Sequence, residues 1–396
     1  MKNRNWTRYL YAALFILSEG VSPTLVHATS VYDGFNPDPN GIVYSMAVQA
    51  DNKILICGDF TDQASTSGAR PHIARYNADG SLDLSFSVYP NDSIWSMAVQ
   101  TDGKILVTGA FTSINDYYHG NNYIARLNAD GSLDEDFKPP RPGSFINAML
   151  VQADGKILIG GDFTFVSGQP SNRIRNRIAR LNSDGSLDKN FDPDANGSVF
   201  SMVLQANGKI VVGGDFTTMG GQPRNRIARL NSDGSLDTNF DADADYRVLS
   251  VALQADGEIL VGGDFSSVNG KVRNSIARLN RDGSLDDGFN PDANIRVQSL
   301  AVQTNGKILV GGWFTTMGGQ TRNRIARLNA DGSLDNDFNP DANERVRSVA
   351  VQADGKILTG GHFTTIGGLT RNYAAMLTAD EPALQELSVS EDGTVI

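Results

Sequence analysis

One cassette of about 50 residues occurs seven times in succession and fills nearly the whole chain. Anchored on the glutamine that ends each Val/Leu-Gln step, the copies fall at Gln49, Gln100, Gln152, Gln205, Gln254, Gln303 and Gln352, spaced 51, 52, 53, 49, 49 and 49 residues apart. A fixed period of this size restricts the chain to a propeller, a solenoid or an array, because a unit that cannot bury its own apolar face must stack on copies of itself.

Each cassette reads as strands. Val346 to Gln352 (VRSVAVQ), Lys356 to Phe363 (KILTGGHF) and Arg324 to Asn329 (RIARLN) are rich in Val, Ile and Leu and bounded by turns, and no segment sustains a helical period. The separators ADGK and NADGS are Asp-Gly turns, in which glycine supplies the positive φ that a hairpin needs. With a short fourth strand, SLDxxF, each cassette predicts a four-stranded antiparallel sheet. Radial stacking of such sheets gives the expected fold, an all-β, seven-bladed β-propeller.

Two missing pieces indicate how the ring closes. The last cassette stops at Leu377 without SLDxxF, while an orphan Val31 to Phe35 stands near the N-terminus, so the N-terminal strand is expected to complete the last blade. Six cassettes carry an Arg and an Asp that a four-residue turn places opposite each other: Arg75/Asp83, Arg126/Asp134, Arg180/Asp188, Arg229/Asp237, Arg278/Asp286 and Arg327/Asp335. In the seventh, Met376 replaces the Arg and Tyr32 the Asp. Both partners change together, as expected if they meet.

Residues 1–28 read as a signal peptide: Lys2, Arg4 and Arg8, an apolar run from Tyr9 to Leu17, then Val26-His27-Ala28 as a cleavage site. Residues 29–379 are expected to form the propeller, and 380–396, ending in LSVSEDGTVI, the start of a further β module or a truncated tail. The run is too short to span a bilayer, so a soluble chain is expected, secreted, periplasmic or at the cell surface. Net charge is −11 without basic stripes, which argues against nucleic acid, and a monomer is expected. The single cysteine, Cys57, lies inside a strand and reads as a buried thiol.

The cassette VQ-x-DGKILVGG-x-F followed by RIARLN-x-DGSLD-x-x-F resembles the delta-60 repeat family of bacterial β-propellers, over about residues 31 to 377. That family has no assigned biochemical function, and the resemblance implies an exported or cell-surface propeller. Departures are local: Ala110, Trp313 and His362 stand where other blades have Asp59, Asp162, Asp215 and Asp264.

Most recurring positions have packing explanations. A glycine stands two residues before each strand phenylalanine (Gly58 before Phe60, through Gly361 before Phe363), where close approach of another backbone is expected, and the phenylalanines read as blade-to-blade core. The turn N-x-D-G-S-x-D lacks the first ligand and distal glutamate of a calcium loop, and His72, His119 and His362 have no ligand-type spacing, so neither metal nor cofactor is expected. No nucleophile elbow, phosphate loop or Cys/His pair appears, and no catalytic residue is assigned.

Length changes gather on one face. From the strand phenylalanine to the IAR step (AAM in the last blade) the separation is 13, 13 and 15 residues in the first three blades and 11 in the rest. Near the channel mouth, the residues five and seven before each glutamine vary while the one between is always Val or Ile. Blades one to four place Tyr44, Trp95, Phe145 and Phe200 there, and blades five to seven Arg247, Arg296, Arg345 and Arg347; the long loops add Tyr117, Tyr118, Arg141 and Arg175. Aromatic stacking and arginine pairing suit an anionic glycan or an acidic peptide, making a noncatalytic recognition or adhesion module the expected function. The bland alternative pairs the arginines with Asp243, Asp292 and Asp341 and leaves the aromatics as plugs. A hydrolase or lyase at the mouth, and a structural spacer for a downstream module, are the competing functions.

Overall fold

The computed structural model describes residues 31–32, 34–61, 70–115, 123–164, 166–167 and 175–378. Seven three-stranded antiparallel sheets follow one another along the chain. The first is Ile42–Val48, Ile54–Asp59 and Ile73–Tyr76, and the last is Val346–Val351, Ile357–Gly361 and Ala374–Leu377. The short fourth strand is a single bridge in each blade, such as Tyr76 to Leu82. It ends there because Asp83 folds the chain back: the Ser85 amide donates to Asp83 Oδ1 over 3.0 Å, and Phe86 is turned inward and buried. No helix among these residues is long and apolar enough to cross a membrane.

Val31 bridges Leu377, and the Tyr32 amide donates to the Met376 carbonyl over 2.8 Å, so the N-terminal strand is the outer edge of the seventh blade. One apolar cluster holds Phe35, Val43, Met46 and Phe60 together with Leu358, Ala374 and Met376, joining the first and last blades.

The six Arg/Asp pairs form as expected; Arg75 Nε to Asp83 Oδ2 is 2.8 Å, and Lys53 Nζ reaches the same oxygen over 2.9 Å. The Arg75 guanidinium also lies over Phe86, 4.5 Å from the ring centroid, and donates to the Ala129 carbonyl of the next blade. Arg126, Arg180, Arg229 and Arg278 reach the next blade in the same way, each tying its own hairpin to its neighbour. At the closing seam the lysine of this set, Lys356, instead stands 4.8 Å from the ring centroid of Tyr32. In the fifth blade Glu258 replaces the lysine, and Arg278 bridges Glu258 at 3.0 Å and Asp286 at 2.6 Å.

Every inner strand carries a β-bulge at the same place. In the first blade Val43 pairs with Gly58 and Ser45 with Cys57, leaving Tyr44 opposite nothing. A Cβ on Gly58 would lie 1.9 Å from the Ile42 carbonyl oxygen, so the bulged strand requires the glycine that precedes each phenylalanine. The phenylalanines Phe60, Phe111, Phe163, Phe216, Phe265, Phe314 and Phe363 are buried between blades.

Candidate functional site

The bulge sets the mouth of the ring. The unpaired residue is Tyr44, Trp95, Asn147, Phe200, Leu249, Gln298 and Arg347 in blades one to seven. A bulge re-aims its side chain out of the alternation that holds the rest of the strand. The aromatic and basic residues singled out from the sequence as Tyr44, Trp95, Phe200 and Arg347 are thus residues of one structural type.

A second set lies two residues earlier, where the inner strand of each blade meets the end of the second strand of the preceding blade. Ser93 Oγ donates to Asp59 Oδ1 over 3.1 Å, and Ser198 Oγ donates to Asp162 Oδ1. Arg247 Nε meets Asp215 Oδ2 at 3.1 Å. Arg296 grips Asp264 with two bonds, Nε to Oδ1 at 2.5 Å and Nη2 to Oδ2 at 2.7 Å. The rule breaks where the carboxylate is replaced. Beside Ala110, Phe145 packs on Trp95 (4.7 Å between centroids) and on Tyr123 (5.3 Å), and it remains 36% exposed. Trp313 lies between two guanidinium groups, with Arg296 Cζ 4.3 Å and Arg345 Cζ 3.8 Å from its ring centroid.

The carboxylates that Arg247 and Arg296 find are therefore not Asp243 and Asp292, the partners expected in the bland alternative. The Asp292 and Asp341 side chains are engaged by Asn274 and Asn323, over 2.8 and 2.7 Å, where they brace the loops between blades.

Arg347 is the exception among the mouth arginines. It is half-buried, donates from Nε to Nε2 of His362 over 3.1 Å, and stands 5.2 Å over the Tyr44 ring across the closing seam. No carboxylate of the described residues comes within ion-pair distance of it. Burial, then Arg345 and Arg296, lower its affinity for its own proton, against the pull of Tyr44. Burial together with Arg347 and Arg345 also pushes the His362 pKa below its ordinary value, keeping the ring neutral at pH 7. Its Nε2 lone pair is taken by Arg347, so the proton sits on Nδ1. Besides its stacking on Trp313, Arg345 meets one carboxylate among the described residues, Glu344, at 3.8 Å. Among the described residues, buried Trp313 Nε1 has no acceptor. Arg345, Arg347, Trp313 Nε1 and His362 Nδ1 thus make a cluster of donors around the seams of blades six, seven and one.

The loop candidates fare differently. Arg175 is 3% exposed, bound to Asp192 Oδ2 at 2.9 Å and to the Lys189 carbonyl at 3.0 Å, so it clamps the blade edge and leaves the ligand set. Arg141 is exposed on a two-residue strand, Arg141–Pro142, paired with Val166–Ser167. Tyr117 and Tyr118 lie outside the described residues. Trp313 was visible in the sequence only as a departure from aspartate, and His362 as that and as a histidine without ligand-type spacing. Among the described residues no group of three or more His, Cys, Asp or Glu side chains gathers as a metal ion requires.

Fold and rim define a seven-bladed β-propeller. A family profile described as a domain of unknown function (DUF5122) beta-propeller matches residues 49–86, 100–137, 152–191, 205–240, 254–289, 303–338 and 352–380, in register with the seven cassettes. The chain belongs to that family, consistent with the delta-60-type repeat of its cassettes. No curated protein matches the sequence. Among solved structures, a streptogramin B lyase is similar at TM-score 0.58 and 16% identity, covering 87% of this chain and 96% of that one. The WD40 beta propeller domain of Doa1 is similar at 0.60 and 14%, covering 89% and 98%. A virginiamycin B lyase from Staphylococcus aureus gives 0.59 and 14%, covering 89% and 100%. At such identities the likeness is one of fold.

Proposed function

We propose that the chain is an exported, noncatalytic recognition propeller whose mouth captures an oxyanion-bearing ligand, an anionic glycan or an acidic peptide. The observation that carries this reading is Arg347, a half-buried guanidinium whose neighbours are a neutral histidine, a tyrosine and two further arginines. A desolvated charge without a counterion is costly, and a ligand carboxylate or sulfate would supply that counterion through charge-assisted hydrogen bonds. Among the described residues the same seams leave Arg345 nearly unpaired and Trp313 Nε1 without an acceptor, so the local donors outnumber the acceptors. Probing glycan and peptide arrays with the protein and with an Arg345→Ala/Arg347→Ala variant tests the reading. Binding of anionic probes is expected only for the unmodified rim, and equal binding by the variant rejects it.

A lyase is the second reading, favoured by His362 at the mouth and by the names of two similar structures. A base needs a free lone pair, and the Nε2 of His362 already accepts from Arg347. Chromatography of a streptogramin B incubated with the protein is expected to show no conversion; turnover lost in His362→Ala would establish the lyase instead.

A further inference from the structure

We infer that the basic half of the mouth docks a peptide segment in which acidic and apolar residues alternate; this deepens the proposed anion capture and rests on it. The inference comes from what stands beside each arginine. Immediately before Arg247 and Arg296, at the same register in adjacent blades, are Tyr246 and Ile295, exposed by 46% and 47%. Blades one to four carry Gly41, Asp92, Ser144 and Gly197 at that register. At this register the large exposed apolar side chains stand in blades five and six, and blade seven carries Glu344. Tyr246 is held in place by Arg247, whose Cζ lies 5.4 Å from its ring centroid.

An arc that runs Tyr246, Arg247, Ile295, Arg296 presents apolar and cationic groups in turn through blades five and six, and it continues past Glu344 to Arg345 and to Arg347, which no described carboxylate reaches. Tyrosine and arginine are among the side chains that dominate protein interfaces, and Ile295 adds apolar area beside them. A glycan offers no aliphatic side chain to cover Ile295, and its flat sugar faces would suit the aromatic group of Trp95, Phe145 and Tyr123 instead. Charge adds direction: the chain carries −11 overall, so an acidic segment is repelled by most of the surface and drawn to this arc.

The test is fluorescence anisotropy of the full chain with three labelled probes: a peptide alternating Asp and Leu, hexaglutamate, and hexagalacturonate. The alternating peptide is expected to bind tightest. Its affinity should fall about tenfold or more in Arg345→Ala/Arg347→Ala, the effect of losing a charge-assisted pair. It should fall about fivefold in Tyr246→Ser/Ile295→Ser, a surface change that leaves hexaglutamate binding as it was. Thermal melts equal to the parent protein's show that each variant is folded. Unchanged peptide affinity in Tyr246→Ser/Ile295→Ser overturns the inference. Arginine-dependent binding of hexagalacturonate alone also overturns it, while leaving anion capture at the mouth intact. If no probe shows arginine-dependent binding, both readings fall.

Discussion

The amide of Tyr32 donates to the carbonyl of Met376 over 2.8 Å, so the two ends of the described chain share one blade. These residues occupy the places that Asp and Arg hold in the six other blades, and Lys356, paired with Asp354 at 2.7 Å, lies against the Tyr32 ring. The seam therefore exchanges an ion pair for apolar packing and a cation–π contact.

Restoring the standard pair at the seam should work only when both residues change. Met376→Arg alone places a guanidinium where Met376 is buried, and Tyr32→Asp alone leaves a carboxylate with only Lys356. Each single change is expected to lower the unfolding free energy. The double variant should recover part of the loss, with a coupling energy of about 1–3 kcal/mol in a denaturant-based double-mutant cycle. Strict additivity would contradict the seam described.

The buried aspartates set the acid limit of the fold. Burial pushes the Asp237 carboxyl up, but hydrogen bonds from Lys209, Arg229 and the Asn239 amide outweigh it and hold its pKa below the usual range; Asp134, Asp188 and Asp335 behave alike. A carboxylate depressed in the folded state contributes stability that is present above its unfolded value, roughly 3.9, and is lost as pH falls through the folded value. The aspartates' contribution to the unfolding temperature should hold down to about pH 4 and then drop steeply. Asp237→Asn, measured near neutral pH, should cost about 3 kcal/mol by leaving Arg229 underpaired. Breaking the exposed Lys271–Asp287 pair with Lys271→Ala should leave the unfolding midpoint almost unchanged.

His362 should make a separate, weaker contribution nearer neutrality. Its folded pKa lies below the ordinary 6.5, so folding is penalised once the unfolded histidine protonates, and the penalty grows as pH falls until the folded group protonates too. Melting temperature should therefore decline as pH drops below about 6.5, and His362→Gln should flatten that part of the curve. An anion bound to Arg347 would raise the pKa of His362. Nuclear magnetic resonance titration with and without the anionic probe reads that shift directly, and an unchanged midpoint would place the anion elsewhere.

The bulges should not tolerate a side chain at their paired glycines. A Cβ on Gly263 would stand 2.0 Å from the Arg247 carbonyl oxygen, which is backbone and cannot swing aside. Gly263→Ala is expected to destabilise by about 2–3 kcal/mol in urea unfolding. Because Arg247 moves with that strand, its bond to Asp215 should also weaken.

The architecture was legible from the sequence because period, strand pattern and turn chemistry are local, and the seam was legible because Met376 and Tyr32 depart together from a sixfold rule. The mouth was half legible. Variation at Tyr44, Trp95, Phe200 and Arg347 marked the bulge positions, yet the bulge itself is a register relation between strands, seen only when Val43 and Ser45 find Gly58 and Cys57. The partners of Arg247 and Arg296 were missed because Asp215 and Asp264 lie on the preceding blades, while nearer aspartates were plausible by proximity in the chain. Arg175 was misplaced because a clamping arginine and a ligand-binding one share the same letter; only its burial separates them.

Since the residue at each bulge stands outside the strand ladder, its identity is released from the duty of holding the sheet. Tyrosine, tryptophan, asparagine, phenylalanine, leucine, glutamine and arginine all occupy it in one molecule. Seven sites around one aperture can then be rewritten independently on an unchanged frame, so new specificities could arise from single codon changes rather than from insertions that disturb the framework.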